Sequence, residues 1–166
     1  MIQRVQSIFL FLVGMCMFLV LFFPLWEKVS IEDQQVATLS AYSLTLYTID
    51  TTTLETAPGL ISEMQTYYIA IVSILAALVA FYSIFKYKNR LTQMKLGALN
   101  SLLMAAVLGV SLYIATSYGN PMLRPEVEGS YKLGFFFPAF ALIFNVLSNR
   151  FIRRDEKLVR SVDRIR

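Results

Sequence analysis

Four stretches of the sequence carry no charged residue, and their lengths match the thickness of a lipid bilayer. A helix needs about 20 mostly apolar residues to cross about 30 Å of hydrocarbon. Three stretches exceed that length. The fourth has 17 residues between Lys132 and Arg150, whose long side chains can reach the headgroups. The four stretches are residues 5–26, 64–85, 96–123 and 133–149. We therefore predict a single membrane domain with transmembrane helices at about 5–26, 64–87, 96–118 and 132–151.

The first stretch also has the general form of a secretory signal peptide, because Arg4 precedes an apolar run. That run lasts about 18 residues, however, and no small-x-small cleavage site follows it. We therefore interpret it as an uncleaved span that ends at Trp26, a residue typical of the membrane interface.

The distribution of basic residues predicts the orientation of these helices. Twelve of the 15 Lys and Arg residues lie at the N-terminus, between the second and third spans, or after the fourth span. The opposite side carries only Lys28, Arg124 and Lys132, together with eight of the 11 acidic residues. Since basic residues concentrate on the cytoplasmic side, both termini are expected in the cytoplasm.

The segment between the first two spans, residues 27–63, is expected on the outer side and contains strand patterns. Tyr42, Leu44 and Leu46 alternate with small polar residues, and residues 26–31 and 35–39 are weaker strand candidates. Pro58-Gly59 predicts a turn. The predicted fold is a membrane all-α four-helix bundle with a small extracytoplasmic antiparallel β-sheet between helices 1 and 2. The second outer loop, 119–131, could complete that sheet.

Small residues recur at four-residue spacing along the third span, and we call them the small-residue ridge: Gly97, Ser101, Ala105 and Gly109. Such a ridge allows another helix backbone to approach closely. Two interpretations stay open. The ridge could pack inside the bundle, or it could contact a second copy or a partner helix.

The segment after the fourth span, residues 150–166, predicts a basic amphipathic helix in the cytoplasm. Its candidate contact residues for a partner or for headgroups are Arg153, Arg154, Lys157, Arg160 and Arg164. An interfacial helix on anionic lipid headgroups is one interpretation. Docking on a cytoplasmic partner, or on the chain's own loop 86–95, is the other.

No catalytic or metal-binding pattern is present in the sequence. It contains no histidine and a single cysteine, Cys16, which excludes an intramolecular disulfide and most zinc sites. The four spans carry no charge of the kind that marks an ion path. We therefore predict no catalytic residues, no cofactor, no metal and no nucleic-acid partner.

Both ends of the chain resemble a known family. The opening is MIQRVQS at residues 1–7, and the ending combines NR at 149–150, IRRDEKLVRS at 152–161 and DRIR at 163–166. These segments resemble small inner-membrane proteins of Bacteroidota labelled as domain of unknown function 4293. The resemblance implies a Gram-negative inner membrane and a periplasmic outer segment. It implies no activity.

One helix, a strand-bearing outer loop and three further helices is also the layout of claudin-like tetraspan proteins. Only Trp26 matches their first-loop motif, because the paired cysteines are absent. The likeness is therefore an analogy of architecture.

Three functions are compatible with the sequence. The first is a non-enzymatic accessory or scaffold subunit of a larger bacterial inner-membrane complex, in contact with the bilayer and with a membrane-protein partner or a second copy. The second is a small transporter or lipid-binding protein with a ligand near Pro138 and Asn145. The third is a membrane enzyme whose outer-face groups would be Glu27, Asp50, Glu63, Tyr67 and Tyr68.

Overall fold

A computed structural model describes the backbone of residues 2–49, 56–86, 89–126 and 128–163, and the side chains of 6–48, 59–86, 89–126 and 128–156. These residues form four long helices and one antiparallel sheet. The helices are α1 (Ile2–Leu19), α2 (Tyr67–Phe85), α3 (Arg90–Met122) and α4 (Leu133–Asp163). The strands are β1 (Trp26–Ser30), β2 (Gln35–Leu39), β3 (Ser43–Ile49), β4 (Thr56–Gln65) and β5 (Ser130–Tyr131).

The four helices form a bundle in which each helix packs against two others. α1 contacts α2 and α4, and α3 also contacts α2 and α4, so the helices sit at the corners of a square. Apolar side chains from all four helices fill the centre. They include Leu10, Val13, Met17, Ile69, Ala76, Ala80, Met104, Val107 and Ala141. The predicted bundle is thus present.

Three of the helices are long and apolar enough to cross a membrane, which is consistent with a membrane protein. They are α2, α3 and the Leu133–Glu156 part of α4, with mean hydropathy of 2.4, 1.9 and 1.5 over their most apolar windows. The described apolar part of α1, Gln6–Leu19, is shorter.

The predicted first span is too long, because α1 ends at Leu19 and not near residue 26. The helix tightens there, since Leu21 and Phe22 donate backbone hydrogen bonds to carbonyls three residues earlier. Pro24 then disfavours a helical conformation at the residue before it. Leu25 is already hydrogen-bonded to the sheet, because its backbone nitrogen lies 2.8 Å from the Leu39 carbonyl oxygen.

The third and fourth helices extend beyond their predicted ends. α3 begins at Arg90 and not at 96, because the Asn89 side chain accepts a hydrogen bond from Thr92 N at 3.2 Å and caps the helix. It continues through a π-helical turn, Ala115–Gly119, to Met122. α4 runs without a break to Asp163, so the described part of the tail is helical and continues the fourth span as predicted.

The sheet has the strand order β4-β3-β2-β1-β5, and every neighbouring pair is antiparallel. The strand candidates at 26–31 and 35–39 correspond to β1 and β2, and the alternating segment from Tyr42 to Leu46 corresponds to β3. Loop 119–131 completes the sheet through β5.

The turn predicted at Pro58-Gly59 is wrong, since both residues lie within β4. β4 is an edge strand whose pairing with β3 is irregular between Leu46 and Ile49. An edge strand tolerates proline because its outer N–H groups need no partner in the sheet.

Trp26 does not face outward as the predicted interfacial anchor would, because it is buried in the junction between sheet and bundle. Its exposed fraction is 2%, and its indole ring packs against Gly119 and Gly129. A Cβ at Gly119 would lie only 2.7 Å from Trp26 Cζ3, and Gly129 has even less room. These two glycines therefore create the space for the only tryptophan in the chain.

Candidate functional site

The first half of the small-residue ridge packs inside the bundle, against α4. Asn145 Nδ2 donates hydrogen bonds to the Gly97 carbonyl oxygen and to Ser101 Oγ, both at 2.7 Å. Gly97 also abuts the Asn149 amide so closely that a Cβ would overlap it. The absence of a side chain at Gly97 thus lets the two helices approach, and the hydrogen bonds from Asn145 link them.

The second half of the ridge faces away from the bundle. Ala105 and Gly109 are exposed, and a Cβ built on Gly109 meets no atom within 4 Å. A four-residue step along a helix rotates by about 40°, because 3.6 residues complete a turn. The ridge therefore turns from an internal contact into an open surface. Packing inside the bundle holds for Gly97 and Ser101, and contact of Ala105 and Gly109 with a second copy or a partner helix stays a prediction.

Polar side chains are buried along the interior faces of α2, α3 and α4. Asn145 forms hydrogen bonds between helices, whereas Ser111 donates to a carbonyl of its own helix, as does the exposed Thr116. Asn100 and Ser148 are also buried, and neither side chain has a hydrogen-bond partner within the part of the chain that the structure describes. Gln93 joins α2 to α3, since its Nε2 lies 3.2 Å from the Ser83 carbonyl oxygen.

Lys28 fastens the sheet to the end of α3, a role that the sequence interpretation missed. Its side chain is 2% exposed, and Nζ donates to the carbonyl oxygens of Asn120 at 2.7 Å and Leu123 at 3.3 Å. Those carbonyls lie at a helix C-terminus, where positive charge is favourable. Strand alternation was the available signal, because residues 26, 28 and 30 share the buried face of β1.

The two other basic residues at the sheet end of the bundle, Arg124 and Lys132, also form ion pairs within the chain. Arg124 binds the carboxylates of Glu32 at 2.8 Å and Asp33 at 3.0 Å, which ties the loop after α3 to the β1–β2 turn. Lys132 binds Glu27 at 3.1 Å. Glu27 is therefore an ion-pair partner of Lys132, which weakens its case as a catalytic acid.

The remaining residues proposed for an outer active site lie on the surface or outside the described residues. Glu63, Tyr67 and Tyr68 are exposed, and Asp50 lies outside the described residues. Within those residues, no three acidic, cysteine or histidine side chains are placed to hold a metal ion.

Near the other end of the bundle, α4 is fastened to the start of α3. Arg90 Nη2 lies 3.1 Å from Asp155 Oδ2, and Arg90 Nη1 lies 3.7 Å from Glu156 Oε2 and 3.0 Å from the Asp155 carbonyl oxygen. The first turns of the tail thus dock on the chain's own loop region, which was one of the predicted alternatives.

Two of the predicted tail contact residues, Arg153 and Arg154, are exposed and line a cleft of about 650 Å³ with Val146, Asn149 and Arg150. The side chains of Lys157 and Arg160, and the whole of Arg164, lie outside the described residues. We call this surface the arginine cleft, after Arg150, Arg153 and Arg154. It is the part of the predicted tail surface that the structure describes.

Comparison with known proteins supports the resemblance at the chain ends. The family model for a domain of unknown function, DUF4293, matches residues 2–165. The chain belongs to the DUF4293 family. No curated protein matches the sequence. Membership in the DUF4293 family therefore covers the bundle, the sheet and most of the tail, and brings no activity with it.

Proposed function

We propose that this DUF4293 protein is a non-enzymatic scaffold or accessory subunit of a larger membrane complex. The observation that carries the proposal is the free edge of the sheet. β4 is ten residues long and pairs with β3 on one side only, within the described part of the chain. Leu60 and Ile61 on this strand are 53% and 48% exposed.

An unpaired strand edge presents backbone N–H and C=O groups to any extended segment that approaches. Proteins protect such edges with proline, charges or irregular pairing. Here Pro58 and the irregular pairing with β3, which falls between Thr56 and Ser62, protect part of β4. The stretch 59–65 nevertheless carries one charged residue, Glu63, and its regular end, Ser62 to Gln65, remains suitable for strand addition by a partner.

The opposite edge of the sheet differs in a way that supports this proposal. β5 has two residues and continues directly into α4 through Lys132. A short strand offers few backbone groups, so β4 is the edge where a partner strand could bind over several residues.

The exposed half of the small-residue ridge supports the same proposal within the membrane. Ala105 and Gly109 would allow a helix of another subunit, or of a second copy, to approach α3 closely. The claudin-like layout adds only an architectural analogy.

The membrane location is part of the proposal. We infer that all four helices cross a bacterial inner membrane, with both termini in the cytoplasm and the sheet in the periplasm. The 12-to-3 division of basic residues supports this orientation. A reporter active only in the cytoplasm, fused after residue 166, should be active. The same reporter inserted in the β1–β2 turn should be silent.

Site-specific photocrosslinking in the native membrane tests the assembly role. A photoreactive residue at Ile61 should crosslink a stoichiometric partner, and Ile61→Lys should abolish co-purification by charging the edge. Ile31 provides the matched control, because it is 66% exposed on the same sheet but lies in the β1–β2 turn. A protein that purifies alone under mild conditions, without a crosslink from Ile61, would contradict the proposal.

A further inference from the structure

The three arginines of the cleft differ from the other basic residues discussed above in having no partner among the residues that the structure describes. Arg90, Arg124 and Lys132 bind carboxylates, and Lys28 binds backbone carbonyls. By contrast, Arg150, Arg153 and Arg154 form no ion pair or hydrogen bond through their side chains with another described residue. Within the described part of the chain, no acidic residue lines their cleft. The cleft therefore concentrates positive charge that the described structure leaves uncompensated.

The position of the cleft along α4 corresponds to a membrane surface. Arg150 is 17 residues beyond Leu133, the first residue of the helix. At about 1.5 Å per residue this is about 26 Å, close to the thickness of the hydrocarbon layer of about 30 Å. With Leu133 at one boundary, the guanidinium groups lie at the depth of the opposite headgroups.

The apolar residues before the cleft share its face of the helix. Residues 146, 150, 153 and 154 have the spacing of one helix face. Val146 is 61% exposed, and Ile143, one turn earlier, is 54% exposed. The surface therefore changes from apolar to basic along one face, which matches a phospholipid with its chains beside Ile143 and Val146.

Asn149 adds an uncharged polar group to the cleft. Its Oδ1 is buried and has no hydrogen-bond partner among the described residues, although the amide abuts Gly97. The oxygen Oδ1 can only accept, whereas Asn149 Nδ2 carries two N–H groups and forms no hydrogen bond with another described residue, so it is the Nδ2 group that could donate to a phosphate oxygen. Arginine guanidinium groups bind phosphate oxygens in pairs, which gives them geometric specificity beyond their charge.

We propose that this cleft binds the phosphate of one anionic phospholipid in the adjacent leaflet. Arg150, Arg153 and Arg154 supply the charge-assisted hydrogen bonds, and Val146 contacts the acyl chains. The proposal requires that α4 crosses the bilayer. It does not depend on the scaffold role, since a protein without any partner would still hold the lipid.

Native mass spectrometry of the full chain in detergent, titrated with phosphatidylglycerol or phosphatidylcholine of identical acyl chains, tests the proposal. The wild type should retain one phosphatidylglycerol in preference to phosphatidylcholine. The variant R150A/R153A/R154A should bind phosphatidylglycerol about 100-fold more weakly, from three basic contacts. Lys95→Ala removes an exposed basic residue from α3 near the same end of the bundle, and should weaken binding less than about fivefold.

Circular dichroism checks that the alanine variant is folded. If it is not, R150K/R153K/R154K replaces it, with an expected loss of about tenfold because the charge remains and the paired donors are lost. The proposal would be overturned if the wild type and the triple variant retained phosphatidylglycerol equally, or if Lys95→Ala lost as much phosphatidylglycerol binding as the triple variant. Displacement of the lipid by an equivalent concentration of inorganic phosphate would overturn the assignment to a lipid and indicate a soluble phosphate ligand.

Discussion

Asn145 is the side chain whose removal should weaken the packing of α4 on α3 most directly. Asn145→Ala deletes two hydrogen bonds, to the Gly97 carbonyl oxygen and to Ser101 Oγ, each 2.7 Å long. Hydrogen bonds between membrane helices contribute about 0.6 kcal/mol on average and up to about 1.7. Two of them give an expected loss of about 1 to 3 kcal/mol in the free energy of unfolding.

A double-mutant cycle isolates one of these bonds. Ser101→Ala removes the hydroxyl acceptor but leaves Asn145 bonded to Gly97. We therefore expect a coupling free energy between the Asn145 and Ser101 substitutions of about 0.6 to 1.7 kcal/mol. Thr116→Ala is the control, because Thr116 is exposed and its hydroxyl bonds only carbonyls of its own helix. It should change stability by less than about 0.5 kcal/mol.

Equilibrium unfolding in mixed micelles with increasing sodium dodecyl sulfate provides the measurement. Circular dichroism follows the helices, and the emission of Trp26, the only tryptophan, follows the junction between sheet and bundle. Coincident transitions would justify a two-state free energy. A coupling free energy below about 0.3 kcal/mol, or an equal effect of the Thr116 control, would refute this account of how α3 and α4 are joined.

Three further substitutions test other contacts by the same unfolding assay. Gly129→Ala should cost about 1 to 3 kcal/mol and shift Trp26 emission, because the added methyl group overlaps the indole ring. Gly109→Ala, with open space around it, should instead stabilise α3 by up to about 1 kcal/mol, and loss of a co-purified partner in this variant would identify that face as an interface. Lys28→Met should cost about 1 to 3 kcal/mol by leaving two buried carbonyls at the end of α3 without a donor, and no loss would show that water replaces the ammonium group. Arg90→Ala should change stability by less than about 1 kcal/mol but raise amide hydrogen exchange in residues 150–156, and unchanged exchange would show that the ion pairs do not hold the tail.

The sequence predicted the elements of this fold well because each has a strong local signal. Apolar length identified the helices, and two-residue alternation identified β1 to β3. β4 was missed because Pro58-Gly59 resembles a turn, and only pairing with β3 makes the segment a strand. The early end of α1 was missed for a related reason. Leu25 and Trp26 are apolar enough to extend a span, and their place in the sheet depends on β2 and β5.

The candidate surfaces were only partly predictable. Four-residue spacing identified the small-residue ridge. It could not show that Gly97 faces α4 while Gly109 faces outward, because that depends on how far α4 stays in contact with α3. The arginine cleft was likewise only partly predictable from the sequence. Arg153 and Arg154 were expected to contact headgroups, whereas the contribution of Asn149 depends on its position beside Gly97.

The free surfaces of the molecule lie at different ends from each other, so that a lipid and a partner protein could bind at the same time. Apolar helices gain little from hydrophobic association inside lipid, so the bundle depends on close packing and on polar contacts such as Asn145 with Gly97. At the sheet end, Lys28 and Trp26 join the strands to the helices. These contacts leave the β4 edge free at the sheet end of the molecule and the arginine cleft free near the other end. The part of α4 between those ends, Leu133 to Arg150, is about 26 Å long. A lipid in the cleft would therefore not obstruct a partner on the sheet, and a scaffold subunit could be fixed in its membrane while it holds a neighbouring protein.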